Sequence, residues 1–131
     1  MKEIKSAFKF LNYVVDSVVF KNNPDFEGDS TKLEFHPSVE FNIDGNDMLV
    51  FLTIDLFNDA HKNNYPFEMS VSVVGYFKLM SDEDVEKYKA NAVAVLFPFV
   101  RSIISTYTVA ANINPLILPT ININKMLEVD E

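Results

Sequence analysis

The sequence has few side chains of the types that carry out catalysis, and none is spaced as an active site requires. His36 and His61 are the only histidines, and their separation matches no metal-binding pair. Cysteine is absent, which excludes disulfides and thiolate metal ligands. No glycine-rich phosphate loop or nucleophile elbow occurs in a chain with three glycines. We therefore predict a protein that is not an enzyme and uses no cofactor or metal.

One carboxylate leaves an enzymatic alternative open. Asp55 interrupts an otherwise apolar stretch, either as an acid in a cleft or, as the pattern favours, as an outward-facing strand residue. The alternative is a small α+β ligand-binding module or a thioesterase-like enzyme. It requires Asp55 or His36 to lie inside a closed pocket. Four other aspartates lack a convincing partner nearby in the sequence: Asp16, Asp44, Asp47 and Asp59.

Length and composition indicate one acidic, phenylalanine-rich domain. The chain has 131 residues, 48% of them hydrophobic, and 12 are phenylalanine. Nineteen acidic and eleven basic residues give a net charge of −8, which argues against nucleic acid as a partner. The N-terminus, MKEIKSAFKF, lacks a signal-peptide pattern. Together with the missing cysteine, this favours a cytoplasmic protein.

The N-terminal part of the chain has the period-two alternation of half-buried β-strands. Pro37 predicts an edge strand or a bulge, and a slip in the alternation near 17–19 predicts another bulge. Asp44–Asp47, reading DGND, is a strong hairpin signal. An antiparallel sheet over residues 8–79 follows. The predicted strands are Phe8–Lys21, Leu33–Asp44, Met48–Asn58 and Phe67–Leu79, and a polar turn is predicted at Asp59–Pro66.

The C-terminal part changes to a helical period. Ser81 followed by three acids predicts a helix start, and the helical region covers about 82–111. Pro98 is expected to break or kink it. Pro115 and Pro119 then predict an extended segment and a short tail over 112–131, where Lys125–Glu131 forms at most one short helical turn or a disordered tail. The fold class is α+β: a single domain, 1–131, with a four-stranded antiparallel sheet and one long Pro-kinked helix on one face.

The stretch Ala92–Asn112, AVAVLFPFVRSIISTYTVAAN, is apolar almost all round. In a membrane Arg101 would cost roughly 2.5–3.5 kcal/mol, and the chain is too short to surround such a helix. Contact with another subunit explains the pattern best, and an ordinary core helix with an apolar outer side is the alternative. Arg101, if buried there, needs hydrogen-bonding partners. The predicted interface residues are Val95, Phe99, Arg101, Ile103 and Tyr107.

Further apolar residues fall where the helix should not cover the sheet. Each one alone is most simply explained by core packing or oligomer contact. Together they would suit a groove for extended, unfolded polypeptide, a partner that needs apolar area without strict shape. They are Leu49, Phe51, Phe57, Val74 and Tyr76 on the strands, and 116–118 with Ile121 and Ile123 in the extended segment.

Three motifs resemble the SecB family of export chaperones over most of the chain. Leu96–Ser105, LFPFVRSIIS, resembles the family's Leu-Phe-Pro-aromatic-x-Arg helix, and Pro115–Ile123, PLILPTINI, its proline-containing apolar segment. Phe35–Asp44, FHPSVEFNID, looks like its second strand. The helix and proline motifs are specific, whereas the strands alone would not be.

The resemblance implies a homotetramer, a dimer of dimers, with the long helices sandwiched between two eight-stranded sheets. It implies ATP-independent holding of unfolded client polypeptides in apolar grooves. Phe35, Leu116, Leu118 and Ile121 would line or flank the groove by this likeness. The residue pattern adds Phe51, Phe57 and Tyr76 as client-binding candidates.

The sequence departs from the family at two places. The second helix of the family is largely missing at the C-terminus. Acidic positions that dock the export motor ATPase are Ser17, Lys21 and Ser70 here, so chaperone action is a safer inference than secretion. Clients from toxin–antitoxin pairs are another possibility within the family. A purely structural oligomer or viral assembly part is the third hypothesis, and it predicts no affinity for denatured polypeptide.

Overall fold

The computed structural model describes residues 8–29, 32–80, 85–114 and 116–129. The strands pair antiparallel in the spatial order β1-β4-β3-β2, which leaves β1 and β2 at the edges. The predicted α+β class, with its antiparallel sheet and long helix, is confirmed. The elements are β1 (Phe8–Asn22), β2 (Phe35–Asp44), β3 (Asp47–Leu56), α1 (Ala60–Asn63), β4 (Phe67–Leu79), α2 (Val85–Ala110) and α3 (Ile123–Val129).

Alternation along the two central strands creates the core. Even-numbered residues of β3, from Met48 to Leu56, are fully buried, and the odd-numbered residues between them are less covered. In β4 the odd-numbered residues face the same side, because Met69 pairs with Leu56 and Phe77 with Met48. Gly45, with φ +61°, supplies the left-handed turn of the β2–β3 hairpin, which pairs Asp44 with Asp47 and sets the register of β2 against β3.

The long edge strand β1 contains two bulges. Its register against β4 shifts between Phe10 and Asn12 and again between Val15 and Ser17, so Leu11 and Asp16 are the extra residues. The sequence predicted one slip, slightly too late in the strand. Each extra residue switches the core-facing side chains of β1 between even and odd numbers. The partly buried residues that pack on the core are Phe8, Phe10, Tyr13, Val18 and Phe20.

Helix α2 lies on the even face of β3 and runs without interruption through Pro98. Of the break or kink predicted at Pro98, the break is wrong, because the helix continues on both sides of it. Pro98 cannot donate to the carbonyl of Ala94, but both residues are exposed, so water can satisfy that oxygen. The predicted start at Ser81–Asp84 lies outside the described residues. The buried residues of α2 are Tyr88, Ala92, Val93, Leu96, Phe97, Val100, Ile104 and Thr108.

Two short helices correct the sequence predictions. The polar turn 59–66 contains α1, whose flanking residues Asp59 and Asn64 both take left-handed φ values. The tail forms α3 rather than a single turn, because Asn122 caps it. The Asn122 Oδ1 accepts from the Lys125 N–H at 3.0 Å, and its carbonyl accepts from the Met126 N–H at 3.0 Å. Pro115 lies outside the described residues.

By length and composition alone, α2 is the one helix in the described ranges that is apolar enough to cross a membrane. A buried core helix passes the same test. Its sheet-facing side forms the domain core, and Arg101, which is partly exposed, lies at the margin of that side, one turn from the buried Phe97 and Ile104.

Replacing Gly75 with alanine should destabilise the fold. A Cβ there would lie 2.7 Å from Leu96 Cδ1 and 2.8 Å from the Phe77 ring, and both neighbours are buried. We expect Gly75→Ala to lower the free energy of unfolding by about 1–3 kcal/mol in urea titrations. In a Leu96→Ala background, which removes the obstructing side chain, the same change should cost less. Equal costs in both backgrounds would contradict this packing argument.

Candidate functional site

The sheet is wider than the helix that covers it. Four strands span about 14 Å between the outer strand axes, whereas a helix with its side chains is about 10–12 Å across. Helix α2 contacts mainly β4, β3 and β1. The inward side chains of β2, among them Phe35, Val39 and Phe41, are consequently only partly buried. Residues 116–126 provide the remaining cover on this side of the core.

A groove remains between β2 and α3, which we call the β2–α3 groove. Its volume is about 440 Å³, and its walls are mostly apolar. The strand contributes one wall, and the end of the extended segment with α3 contributes the other. The lining residues are Phe35, His36, Pro37, Ile121, Asn122, Lys125 and Met126.

The free edge of β2 adds backbone groups beside this groove. The two-residue hairpin pairs Asp44 with Asp47, and the Phe57 N–H donates to the Glu34 carbonyl at 3.0 Å. Both contacts show that even-numbered residues of β2 direct their backbone groups to β3. The odd-numbered residues therefore direct theirs outward. Among these, Pro37 lacks an N–H, but it faces the free edge, so no ladder bond is lost.

Two hydroxyls of α2 fix the extended segment that carries the groove wall. Thr108 Oγ1 accepts from the Leu116 N–H at 3.0 Å and donates within α2, with the Ile104 and Ser105 carbonyls at 3.0 and 2.9 Å. Ser105 Oγ donates to the Leu116 carbonyl at 2.9 Å. Both backbone groups of Leu116 are thus bound to one helix. This hydroxyl clamp positions the segment that leads to Ile121.

The opposite side of the sheet, which α2 does not cover, carries an apolar patch; we call it the open face. The register aligns Leu49 with Tyr76 and Phe51 with Val74, so these four side chains are neighbours on β3 and β4. Val14 continues the patch onto β1. Phe51 and Tyr76 are each 38% exposed, whereas Val74 is buried. A Thr53–Ser72 hydroxyl contact of 2.8 Å borders the patch.

Two predicted client-binding residues lie in the core instead. Phe57 is 3% exposed, because β3 ends at Leu56 and the left-handed φ of Phe57, +54°, breaks the alternation. Its ring packs against Tyr65 and Phe67. Leu118 is 0% exposed and belongs to the core cluster, whereas its neighbour Ile117 is 72% exposed. Leu116, by contrast, is partly buried at the margin of the core.

The residues predicted for subunit contact lie on the flanks and outer side of α2. Phe99 stacks on Tyr13 of β1 with ring centroids 4.5 Å apart, so much of its surface is used within the subunit. Val95, Arg101 and Ile103 are partly exposed, and Tyr107 is exposed. Within the described ranges no ion pair or hydrogen bond engages the Arg101 side chain.

The closed pocket that the enzymatic alternative requires does not form around its candidate residues. The His36 side chain is 62% exposed. Asp55 is partly exposed and borders a small open depression of about 130 Å³ with Lys21 and Glu68. In the part of the chain that the structure describes, no three histidine or acidic side chains form a potential metal site.

The motifs that resemble the SecB family in the sequence lie within the part of the chain that known family members match. The chain belongs to the SecB family: residues 22–130 match the family described as preprotein translocase subunit SecB. It is 37% identical over 131 residues to the uncharacterized protein MJ0357 of Methanocaldococcus jannaschii, covering 94% of this chain and 84% of that protein. It is also 34% identical over 68 residues to the protein-export protein SecB of Anaplasma phagocytophilum, covering 47% and 43%.

Solved structures share the fold. The SecB-like chaperone Rv1957 of Mycobacterium tuberculosis, solved with a ChAD peptide from the HigA1 antitoxin, superposes with a TM-score of 0.68 at 12% identity. The match covers 88% of this chain and 91% of that one. A Streptococcus agalactiae protein of unknown function gives 0.52 at 14% identity, covering 86% and 97%. The SecB resemblance of the sequence is confirmed.

Replacing Thr108 with valine should release the hydroxyl clamp. Valine has nearly the same shape but leaves the Leu116 N–H without its acceptor, at a cost of about 1–3 kcal/mol. We expect the Leu116 amide of Thr108→Val to exchange hydrogen at least tenfold faster than in wild type. Thr106→Val is the matched control, because Thr106 is exposed on the same helix. Equal protection of Leu116 in all three proteins would contradict a positioning role for Thr108.

Proposed function

We propose that this protein is a chaperone that holds unfolded polypeptides in the β2–α3 groove, in the context of protein export. The observation that carries the proposal is the position of the apolar groove beside the unpaired outer edge of β2. An extended segment placed there inserts side chains among Phe35, Ile121 and Met126. Its backbone then pairs with the outward-facing groups of β2 beyond Pro37, which gives binding with little dependence on sequence.

Family membership and the chemistry of the chain support this proposal. The SecB family is described by its part in preprotein translocation. The Rv1957 structure contains a peptide from an antitoxin, and from it we take only the class of client, a segment of polypeptide. Binding is independent of ATP in our proposal, since the sequence has no phosphate loop. The open face, with Phe51 and Tyr76, provides a second apolar contact for longer clients.

We further propose that the exposed side of α2 is covered by other copies of the chain, in a dimer of dimers. Val109 is a large exposed apolar residue on the side of Arg101, and Tyr107, two residues earlier, is exposed on the other flank of the helix. Pro98 leaves the Ala94 carbonyl without a helical donor, and Arg101 lies two turns after Ala94 on the same side. When two copies pack through this side, the unpaired N–H donors of Arg101 in one copy lie beside the unpaired Ala94 carbonyl of the other. Burial of Arg101 would be costly without such bonds.

The cellular setting follows from these proposals. A chaperone for unexported polypeptides acts in the cytoplasm. Lys21 and Ser17 are exposed on the open face at positions expected to be acidic, which disfavours docking of an export motor ATPase there. Binding of the motor is therefore to be measured separately from binding of clients.

Replacing Ile121 with serine should weaken client binding. Losing about half of an isoleucine's apolar contact costs about 1 kcal/mol, or roughly fivefold in Kd. We expect Ile121→Ser to need about fivefold more protein to suppress aggregation of a slow-folding protein without ATP. Met126→Gln, a substitution compatible with helix α3, should act in the same direction.

Ile117→Ser is the matched control for this experiment. Ile117 lies in the same extended segment but is 72% exposed, and it does not line the groove. It should therefore suppress aggregation as well as wild type. If the wild-type protein suppresses no aggregation at equimolar subunits, the chaperone proposal is refuted. If all variants are equally active, clients bind outside the β2–α3 groove.

Replacing Arg101 with alanine should lower the solution mass. If the guanidinium bonds to carbonyl groups of a neighbouring copy, its removal weakens the assembly by about 2–4 kcal/mol. We expect light scattering to show smaller species for Arg101→Ala at micromolar concentration, with a melting temperature that depends on concentration. Lys62→Ala, an exposed change on α1 and so away from α2, should keep the wild-type mass. A monomeric wild-type protein, or an unchanged Arg101→Ala mass, would refute this interface.

A further inference from the structure

The side chains of the open face form rows across the four strands. Paired residues of neighbouring antiparallel strands point to the same side of the sheet, so the register places them in one row. Five such rows cross β1, β4, β3 and β2 in that order, and neighbouring rows lie about 7 Å apart along the strands. The rows differ in chemistry, so the open face has a defined pattern along the strands.

Two neighbouring rows are apolar at the centre of the sheet. In one row Val74 of β4 lies beside Phe51 of β3, and in the next Tyr76 lies beside Leu49. Phe51 and Tyr76 stand out from this strip, since each is 38% exposed, whereas Val74 is buried. The strip lies on the two inner strands and ends in polar residues on β2. Its apolar area is therefore central on the face, as in the middle of a protein interface.

A row of hydroxyl side chains follows the apolar strip on one side. It has one serine or threonine on each strand, and the two central hydroxyls, of Thr53 and Ser72, lie 2.8 Å apart. These side chains are small, so a flat partner can approach this part of the sheet closely. The hydroxyl row consists of Ser17, Ser72, Thr53 and Ser38.

A charged row follows the apolar strip on the other side, and its two halves have opposite signs. Lys9 and Lys78 are paired on β1 and β4, and Asp47 and Asp44 are paired on β3 and β2. Lys78 Nζ lies 3.0 Å from Asp47 Oδ1, so the two inner charges are paired within the copy. The outer charges, Lys9 and Asp44, are exposed, and none of the ion pairs in the described part of the chain includes them.

We propose that the open face packs on the open face of a second copy, by a half-turn about an axis parallel to the strands between β3 and β4. This half-turn lays β1 on the partner's β2 and β4 on the partner's β3, as in an aligned β-sandwich. Lys9 then lies over the partner's Asp44. The apolar strip meets the apolar strip, and the hydroxyl row meets the hydroxyl row.

A half-turn about an axis across the strands does not provide these contacts. It lays each strand on the same strand of the partner, so Lys9 cannot reach the partner's Asp44. Centred on the row of Phe51, it also stacks Glu40 on the partner's Glu40, and like charges directly opposite each other are destabilising. Shifted by half a row, it buries the charged row against hydroxyls, without opposite charges in the partner. Charge therefore selects the axis parallel to the strands.

The open face is large enough for a specific but weak contact. Five rows extend about 34 Å along the strands, and four strands with half a spacing on either side extend about 19 Å across them. Each copy thus contributes about 650 Å² of projected area, and about 1,300 Å² for the pair lies in the lower part of the range for specific interfaces. The net charge of −8 opposes pairing, so we expect it to be reversible.

The inference goes beyond the proposed function, because it concerns the side of the sheet opposite α2 and the β2–α3 groove. Pairing of copies covers the open face and withholds its apolar strip from clients. The groove lies on the α2 side and stays accessible. Self-association through the open face would thus remove the second apolar contact for long clients without closing the first.

A charge swap between copies tests this arrangement. Sedimentation equilibrium is measured with the full chain from about 1 to about 100 µM at about 0.15 M salt. For wild type we expect the mass to rise reversibly to at least twice its value at the lowest concentration. Lys9→Asp and Asp44→Lys should each weaken this association about tenfold, because each introduces two like-charge contacts per pair of copies.

Mixing the two variants should restore the association. In a pair formed by one Lys9→Asp copy and one Asp44→Lys copy, a lysine again faces an aspartate at both contacts. An equimolar mixture, and the double variant alone, should therefore associate as strongly as wild type. Unchanged melting temperatures of the single variants would show that the β2–β3 hairpin beside Asp44 is still folded.

Three further variants serve as tests of position. Phe51→Ser should weaken association, whereas Ile117→Ser, the same kind of change at an exposed residue outside the open face, should not. Lys62→Asp makes the charge change of Lys9→Asp on α1, where it meets no row of the face, and it should keep the wild-type association.

Two results would overturn the inference. One is a wild-type mass that does not change with concentration, and the other is a mixture of the two charge variants that associates no better than either variant alone. Both results leave the chaperone proposal intact, since it depends on the β2–α3 groove. Aggregation assays with wild type test that proposal separately.

Discussion

The architecture depends on a mismatch of width between one helix and four strands. A helix fills its contact with a sheet when its apolar stripe meets two or three strands, and here those are β4, β3 and β1. The close contact of Leu96 with Gly75 fixes α2 over the centre of the sheet, since only a residue without a side chain fits beneath it. β2 is consequently left beside the helix. The candidate groove forms because α2 does not cover β2.

The chain covers β2 with the least regular part of its sequence. The extended segment after α2 is attached through the hydroxyls of Ser105 and Thr108 to one residue, Leu116, and then continues to the Asn122 cap. Between these two fixed points Leu118 is fully buried and Ile121 only partly. This arrangement fixes one groove wall without adding a strand to β2. The outer edge of β2 therefore keeps its backbone groups available, which a fifth strand would have occupied.

Sequence patterns predicted those parts of the fold in which one period holds over many residues. The alternation in β3 and β4 located both strands, and the hairpin signal at Gly45 located the turn that sets the register of β2 against β3. The alternation gave a wrong prediction where a single residue changes the backbone. The left-handed φ of Phe57 turns its ring into the core, although the alternation had predicted it on the open face. Leu118, which the family resemblance placed at the groove, is buried in the core, and an extended segment without a paired strand has no register from which its orientation could be predicted. The family resemblance predicted Phe35 and Ile121 at the groove, and both line it, whereas Lys125 and Met126 belong to a helix that the sequence analysis did not predict.

Charge and apolar surface are arranged separately in this molecule, and the separation reconciles its composition with its proposed role. A protein with exposed Phe51, Tyr76 and Ile117 has a tendency to associate, and a net charge of −8 opposes indiscriminate contact between copies. That repulsion acts over about 8 Å at physiological salt, so it weakens encounters but does not prevent fitted surfaces from joining. Only surfaces of complementary shape or of opposite local charge gain enough contact to overcome this repulsion. Under the proposed function, the net charge limits indiscriminate association between copies while the apolar β2–α3 groove stays open to a client segment.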